Sequence, residues 1–413
     1  MIKLVMRVLR GVRSVLESWG RAVAFVPMER LLPVDRRLWC FGCFGDYPHT
    51  LDNPRAVFEQ VKDDPSIRKV VLTRGAHPSR IVGDGVNVRF VEADSLRGMY
   101  YLARAGAVLV GYGLANLASY SRHLTAKHRV VQLWHGIPLK RIGHLFPGEG
   151  WWNGETPRYA ATVCSSDADR EVMRQAFAPI PRERVWVTGL PRNDFITGHE
   201  ERLPRDYREV LADLRAKLAG RRLVLYAPTW RENAADLYAF SAEEIAALEG
   251  VLRAHDAVLG IRGHALARHV GTSTHGSDAV LDLNGVPDVN VLLRLTDVLV
   301  TDYSSIYIDF LVTGRPILHF VYDLERYQGE RGLLYTPAQA FGGAALESFG
   351  ELLAGLDRAL SDPAADAGQR ERARRLFHSH AGDCGRAVAE RVRELLAAPE
   401  PAAVVQAVAA VSQ

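Results

Sequence analysis

From Leu38 onward, short apolar runs alternate with amphipathic stretches of helical spacing. Leu38–Phe41, Lys69–Leu72, Val86–Val91, Ala107–Gly111, Val130–Trp134, Ala161–Ser165 and Val185–Thr188 read as strands, with helices between most of them. Such alternation builds a parallel sheet covered by helices. A polar, charged stretch from Gly198 to Arg208 interrupts it. The pattern then resumes with strands at Leu223–Ala227, Val258–Arg262, Val280–Asp282, Val298–Val300 and Ile317–Phe320, closed by a helical run from Leu352 to Leu396. This predicts two α/β units, residues 38–197 and 198–396, followed by a loose Ala/Val/Pro-rich tail at 397–413.

Residues 1–37 differ in kind. Ile2, Val5, Met6, Leu9, Val12, Leu16 and Trp19 recur at helical spacing, with Lys3, Arg7, Arg10, Arg13 and Arg21 between them. The arginines break the apolar run that a secretory signal needs. The pattern predicts a basic amphipathic helix, suited to the interface of an anionic membrane or to the protein's own surface. No run is long and apolar enough to span a bilayer.

Composition narrows the class. The 413 residues are 48% apolar, enough for a large core, and the formal net charge is only +3. Arginine is spread along the chain rather than gathered on one face, which argues against nucleic acid as a partner. Of four cysteines, Cys40 and Cys43 form a lone C-x-x-C without the second pair or histidines that a zinc site requires. No carboxylate cluster marks a metal site, and metal dependence stays open.

Two parallel-sheet units facing across a cleft bind ligands at the carboxyl ends of their strands. Five polar turns sit there. In Trp134-His135-Gly136-Ile137-Pro138-Leu139-Lys140, His135 can accept a proton from an attacking hydroxyl. In Gly189-Leu190-Pro191-Arg192-Asn193-Asp194, Arg192 and Asn193 can face the cleft, or the segment is a plain turn with Asp194 capping the next helix. In Ala227-Pro228-Thr229-Trp230-Arg231, the guanidinium can fork onto phosphate oxygens. Gly260-Ile261-Arg262-Gly263-His264 ends a strand in a second histidine. Thr301-Asp302-Tyr303-Ser304-Ser305 leads into a helix, whose free N–H groups and dipole suit a phosphate, although Ser304 or Ser305 can equally be an N-cap. Tyr322-Asp323-Leu324-Glu325 adds acidic groups able to hold ribose hydroxyls. A P-loop motif and a Gly-rich dinucleotide fingerprint are both missing.

Together these segments resemble the CDP-glycerol glycerophosphotransferases, the polymerases and primases of teichoic acids and related capsule polymers. Trp-His-Gly, Gly-x-Pro-Arg-Asn-Asp, Ala-Pro-Thr-Trp-Arg, Thr-Asp-Tyr-Ser-Ser and Tyr-Asp-Leu-Glu-x-Tyr occur in order over about residues 38–345. The resemblance implies a GT-B fold of two Rossmann-like domains, the first for acceptor and the second for the nucleotide donor. It also implies a peripheral enzyme on the cytoplasmic face of the membrane. It makes His135 the general base and His264 a second catalytic histidine near the donor diphosphate. Arg231, Thr229, Thr301, Ser304 and Ser305 then lie around the donor phosphates, Asp302 and Asp309 organise that turn, and Glu325 contacts the nucleotide. Gly136, Lys140, Arg192 and Asn193 fall to the acceptor side. Two departures stand out: Ile137 replaces the family's usual Thr, and Ala265 its usual Pro. The implied donor is CDP-glycerol or CDP-ribitol, the acceptor a polyol phosphate or glycan, and the product CMP, with no required cofactor. A GT-B glycosyltransferase using a nucleotide sugar is the alternative.

Overall fold

A computed structural model of the chain describes residues 19–42, 52–74, 85–146, 154–229, 238, 240–263, 279–331, 333–380 and 382–398. Residues 1–18, on which most of the amphipathic-helix expectation rests, lie outside the described residues, as do Arg231 and His264.

A first helix, α1 (residues 19–31), precedes β1 (Asp35–Phe41), α2 (Asp52–Val61), β2 (Arg68–Thr73) and β3 (Val88–Glu92). Then come α3 (Leu96–Arg104), β4 (Ala105–Val110), β5 (Arg129–Gln132), β6 (Tyr159–Cys164) and β7 (Val185–Val187). The seven strands form one sheet in the order 3-2-1-4-5-6-7, with every pairing parallel. A second parallel sheet holds β8 (Arg222–Tyr226), β9 (Ala257–Ile261), β10 (Val280–Asp282), β11 (Thr296–Thr301), β12 (Ile317–Phe320) and β13 (Ala345–Leu346). Its order, 10-9-8-11-12-13, repeats the pattern of the first.

Every strand expected from the apolar runs is present. Central strands such as β4 are buried along their whole length, as continuous apolar strands must be when helices cover both faces. In each sheet the order reverses beside the first strand of the unit, between β1 and β4 and between β8 and β11. Open parallel sheets bind ligands at these switch points, beyond the carboxyl ends. The Thr229 loop follows β8 and the Thr301–Ser305 turn follows β11, so both stand at the second switch point.

The units share a core. One apolar cluster includes Leu133 and Ile137 of the first together with Tyr303, Tyr307 and Ile308 of the second. The chain also returns. Its last described helix, Cys384–Ala397, packs on α2, the Arg36 guanidinium donates to the Leu396 carbonyl (3.0 Å), and Arg393 pairs with Asp64 (3.0 Å). The end of the run reckoned with the second unit therefore covers the first sheet. Buried Val388, Ala389 and Val392 find their apolar partners there.

Candidate active site

Buried carboxamides fasten the turn after β5. Gln132 Nε2 donates to the Tyr112 carbonyl (2.9 Å), and Gln132 Oε1 accepts from Trp134 N (2.9 Å). Asn53 Nδ2 donates to the carbonyls of Leu133 (3.2 Å) and Trp134 (2.9 Å). These bonds hold Trp134 at φ +53°, a conformation that is uncommon outside glycine and clusters at functional sites. Gly136 follows at φ +152°. A β-carbon there would lie 3.1 Å from Arg192 Nη2 and 3.4 Å from Ser305 Oγ. The turn after β5 and the turn after β11 thus face each other across the two units, and the backbone conformation at Gly136 favours glycine.

His135 lies half-buried between two aromatic rings. Its ring stacks on Tyr112 (centroids 4.0 Å apart, planes at 8°) and tilts against Trp134 (4.0 Å, 34°). His135 Nδ1 is 3.0 Å from the Gly111 carbonyl oxygen. A carbonyl only accepts, so Nδ1 carries the proton and Nε2 keeps its lone pair. Burial pushes the imidazole down to about 4; Arg192 adds to this and the Gly111 carbonyl opposes it. The ring is therefore neutral at pH 7, with Nε2 as its basic atom.

Across from it, the second unit builds a rigid turn. The buried Asp302 accepts from Thr229 N (2.7 Å), Thr229 Oγ1 (2.5 Å) and Tyr303 N (2.7 Å). Thr301 Oγ1 donates to the Ala227 carbonyl (2.6 Å). These bonds tie the loop after β8 to the turn after β11, so Thr229, Thr301 and Asp302 brace the switch point. Ser304 Oγ accepts weakly from Ile306 N (3.4 Å). Ser305 occupies the cap position of the helix Ile306–Phe310, yet its hydroxyl makes no capping bond.

Arg192 joins the units. Its Nη1 donates to Asp52 Oδ2 (3.1 Å) and to the His135 carbonyl (2.8 Å), while Nε and Nη2 grip the Asp309 carboxylate from the second unit. Asn53 Oδ1 accepts from Arg192 N (2.9 Å), so one residue supports both turns. A second tie runs alongside. His378 Nε2 donates to the Ile308 carbonyl (2.7 Å), leaving Nδ1 to accept from Ser165 Oγ (2.9 Å). The short helix after Ser305 is thus fastened to the first unit through two neighbouring residues, Ile308 and Asp309.

Other expected residues are more scattered. Asp309 faces Arg192 rather than folding back on its own turn. Asn193 is buried with Oδ1 unpaired. Asp194 caps a distant helix rather than the next one, accepting from Cys384 N (2.9 Å) and Gly385 N (2.8 Å). Lys140 bridges to Leu333 and sets its amine 5.3 Å above the Tyr327 ring, which itself stacks on Tyr303. Glu325 is exposed in the first turn of the helix Leu324–Arg331. Cys40 is buried, which keeps it from the surface chemistry a redox pair needs. Among the described residues no group of three or more His, Cys, Asp or Glu could hold a metal. Sequence reasoning missed Asp52, Tyr112 and Gln132. The available signal was Gly111-Tyr112-Gly113, a polar turn directly after an apolar strand at a switch point.

Comparison with known proteins places this arrangement. A teichoic acid poly(glycerol phosphate) polymerase of Bacillus spizizenii is 27% identical over 325 residues, 74% of this chain and 79% of its own. A teichoic acid glycerol-phosphate transferase of Staphylococcus aureus is 28% identical over 297 residues, 68% of this chain and 72% of its own. A structure of the wall teichoic acid polymerase TagF shares the fold, with a TM-score of 0.76 and 21% identity over 96% of this chain and 98% of its own. The model of the CDP-glycerol:poly(glycerophosphate) glycerophosphotransferase family matches residues 24–397. With two parallel sheets in a GT-B-like arrangement and that match over most of its length, the chain belongs to the CDP-glycerol:poly(glycerophosphate) glycerophosphotransferase family and is a transferase.

Proposed function

We propose that the chain moves glycerol phosphate or ribitol phosphate from a CDP-activated donor onto a hydroxyl of a teichoic-acid-like or capsular polymer. The carrying observation is the approach of two turns: His135, with Nε2 free to accept, stands in the turn that faces Ser305 of the opposite sheet. In this reading the acceptor lies in the first unit (38–197) and the donor in the second (198–396). The acceptor hydroxyl attacks the β-phosphorus of the donor, the P–O bond to CMP breaks, and His135 Nε2 takes the hydroxyl proton.

An imidazole held at about 4 is by itself a weak base. The donor diphosphate brings negative charge beside it, which favours the protonated ring and raises its basicity when it is needed. Ser304 and Ser305 then offer hydroxyls to the diphosphate, and His264 and Arg231 supply charge. Transfer of this kind depends on positioning and charge stabilisation, which the ties through Arg192 and His378 favour. Acceptor contacts fall to Lys140 and Asn193. A nucleotide-sugar glycosyltransferase is not favoured, given the family.

We further assign the enzyme to the inner membrane surface as a peripheral protein, the basic residues before α1 meeting anionic lipid. Among the described residues no helix is long and apolar enough to cross a membrane. Incubation with CDP-glycerol or CDP-ribitol and a short polyol-phosphate acceptor, read by product mass, tests the reaction. Mass increments of one polyol phosphate with CMP release are expected. Turnover of UDP-sugars with neither CDP-polyol consumed would overturn it.

A further inference from the structure

The large apolar side chains exposed among the described residues are Trp19 (68%), Val23 (55%), Leu31 (81%), Val86, Leu96 (72%) and Tyr100 (39%). All lie on the first unit or on α1, which precedes it, and five of them stand on α1 and α3. Both helices cover the same face of the first sheet, through Phe25 and Met28 on one and Met99 and Leu102 on the other. They run side by side in the same direction. Arg21 at the start of α1 pairs with Asp94, just before α3 (3.6 Å), and Arg104 at the end of α3 donates to the Pro33 carbonyl beyond α1 (3.5 Å).

The outward side of α1 is unusual for a surface helix. Its exposed residues are Trp19, Gly20, Val23, Ala24, Pro27, Arg30 and Leu31, a single charge among seven. Within the two helices the solvent-facing charges are of one sign, while Asp94 and the exposed Glu92 stand just before α3. Together α1 and α3 carry Arg21, Arg30, Arg97 and Arg104, and their lone carboxylate, Glu29, is buried against Thr125 and His128. At the end of α1 a cavity of about 500 Å³ is lined by Arg30, Leu31, Arg36, Lys127 and Arg129. Two of these cations already donate to carbonyls, Arg36 to Leu396 (3.0 Å) and Lys127 to Leu32 (3.4 Å), and so are held in place.

We infer that the α1–α3 face docks on a bilayer containing anionic lipid, with Leu31, Leu96 and Tyr100 in the acyl boundary and the arginines at headgroup level. A ridge of apolar side chains on helices whose solvent-facing charges are all cationic matches that interface. The sequence leads into it, since the residues before Trp19 carry Lys3, Arg7, Arg10 and Arg13 among apolar positions of helical spacing. The inference rests on the reading of a membrane-surface enzyme and deepens it. It makes the folded unit itself, through α3, part of the membrane contact. The start of α1 lies beside Asp94, beyond the carboxyl end of β3, the sheet edge that also carries His135.

The test is co-sedimentation of the full chain with vesicles of phosphatidylcholine, alone or mixed with phosphatidylglycerol. Turnover on a water-soluble acceptor and the melting temperature are measured in parallel. The parent should pellet with the mixed vesicles and not with phosphatidylcholine alone. The triple variant Leu31→Glu, Leu96→Glu, Tyr100→Glu should lose pelleting and keep turnover. Arg30→Ser and Arg97→Ser should each weaken binding by roughly fivefold, as expected for one cation near an anionic surface. Should the triple variant fold poorly, Leu96→Ser alone should still weaken binding. Undiminished pelleting of the triple variant overturns the inference. If only deletion of residues 1–18 then abolishes binding, the broader membrane reading survives while this face does not. A parent that binds no vesicles ends both.

Discussion

Replacing Arg192 by Ala tests the junction between the units most directly. The guanidinium serves two carboxylates: Asp309, whose side chain is 4% exposed, and Asp52, 18% exposed. Without it, two acidic groups face each other in a largely apolar setting. Removing one partner of a buried ion pair costs about 3–5 kcal/mol. Because Asp52 retains some water, the lower end of about 3 kcal/mol applies, and the lost bond to the His135 carbonyl adds about 1 kcal/mol. For a unit of about 200 residues, at ~2 °C per kcal/mol, the melting temperature should fall by roughly 6–8 °C near pH 8. Asp52→Asn should behave in the opposite way. Two carboxylates on one cation leave an excess negative charge, and Asn tolerates the φ of +39° at this position.

The pH dependence follows from Asp52. Burial holds its carboxyl up at about 6; Arg192 pulls it down, and Asp288 and Asp309 push it up. A carboxyl raised in the folded state favours folding fully below its unfolded value of about 3.8, and that advantage is lost as the pH rises through about 6. Asp52→Asn should thus match the parent near pH 4 and equal or exceed it near pH 8. Scanning fluorimetry of both variants across this range decides the matter. If Arg192→Ala loses less than about 1 kcal/mol, or if Asp52→Asn is as harmful as Arg192→Ala near pH 8, the argument for a charge-tight junction is wrong.

Three further outcomes are expected. His135→Ala should reduce turnover by ~10²-fold or more with donor binding largely kept, and in the parent the acid limb of kcat/KM should fall near pH 4, well below 6.5, because burial lowers this imidazole; a limb at 6.5 or above refutes the environment described. Gly136→Ala should cut turnover roughly tenfold or more while the protein stays folded, since the new methyl meets Arg192 and Ser305; unchanged kcat would show that the two turns do not have to approach so closely. Asp194→Ala should loosen the helix Cys384–Ala397 by about 1–2 kcal/mol, because it uncaps two N–H groups; amide exchange at Cys384 and Gly385 that is no faster than in the parent would contradict this.

The strands were legible because each is a local apolar run that needs no knowledge of its neighbours, buried on both faces in the central strands and only partly in the edge strands β3 and β10. The exception, β13, is two residues long, Ala345–Leu346, too short for any periodicity. Polar turns at strand ends located His135 and Ser305, since parallel topology obliges those ends to share an edge. The partnership of Arg192 with Asp309 was not legible. Their separation of 117 residues means that only the packing of two sheets brings them together. Asp309 was read as serving its own turn, the nearest site in sequence, whereas its helix turns the carboxylate toward the other unit. The role of Asn53 became clear only once Leu133, Trp134 and Arg192 surrounded its side chain, which makes three hydrogen bonds to them.

The return of the final helix to the first sheet has a consequence for biosynthesis. The contacts Arg393–Asp64 and Arg36–Leu396 close loops of 329 and 360 residues. A unit whose strands all emerge early from the ribosome cannot complete its helical layer until nearly the whole chain has been made. Until then the apolar side of α2, with Ala56 and Val57, waits for Val388, Ala389 and Val392. Such late closure slows folding and leaves a sticky surface exposed during synthesis. A chain stopped before Cys384 should therefore emerge aggregation-prone, although both sheets are fully encoded.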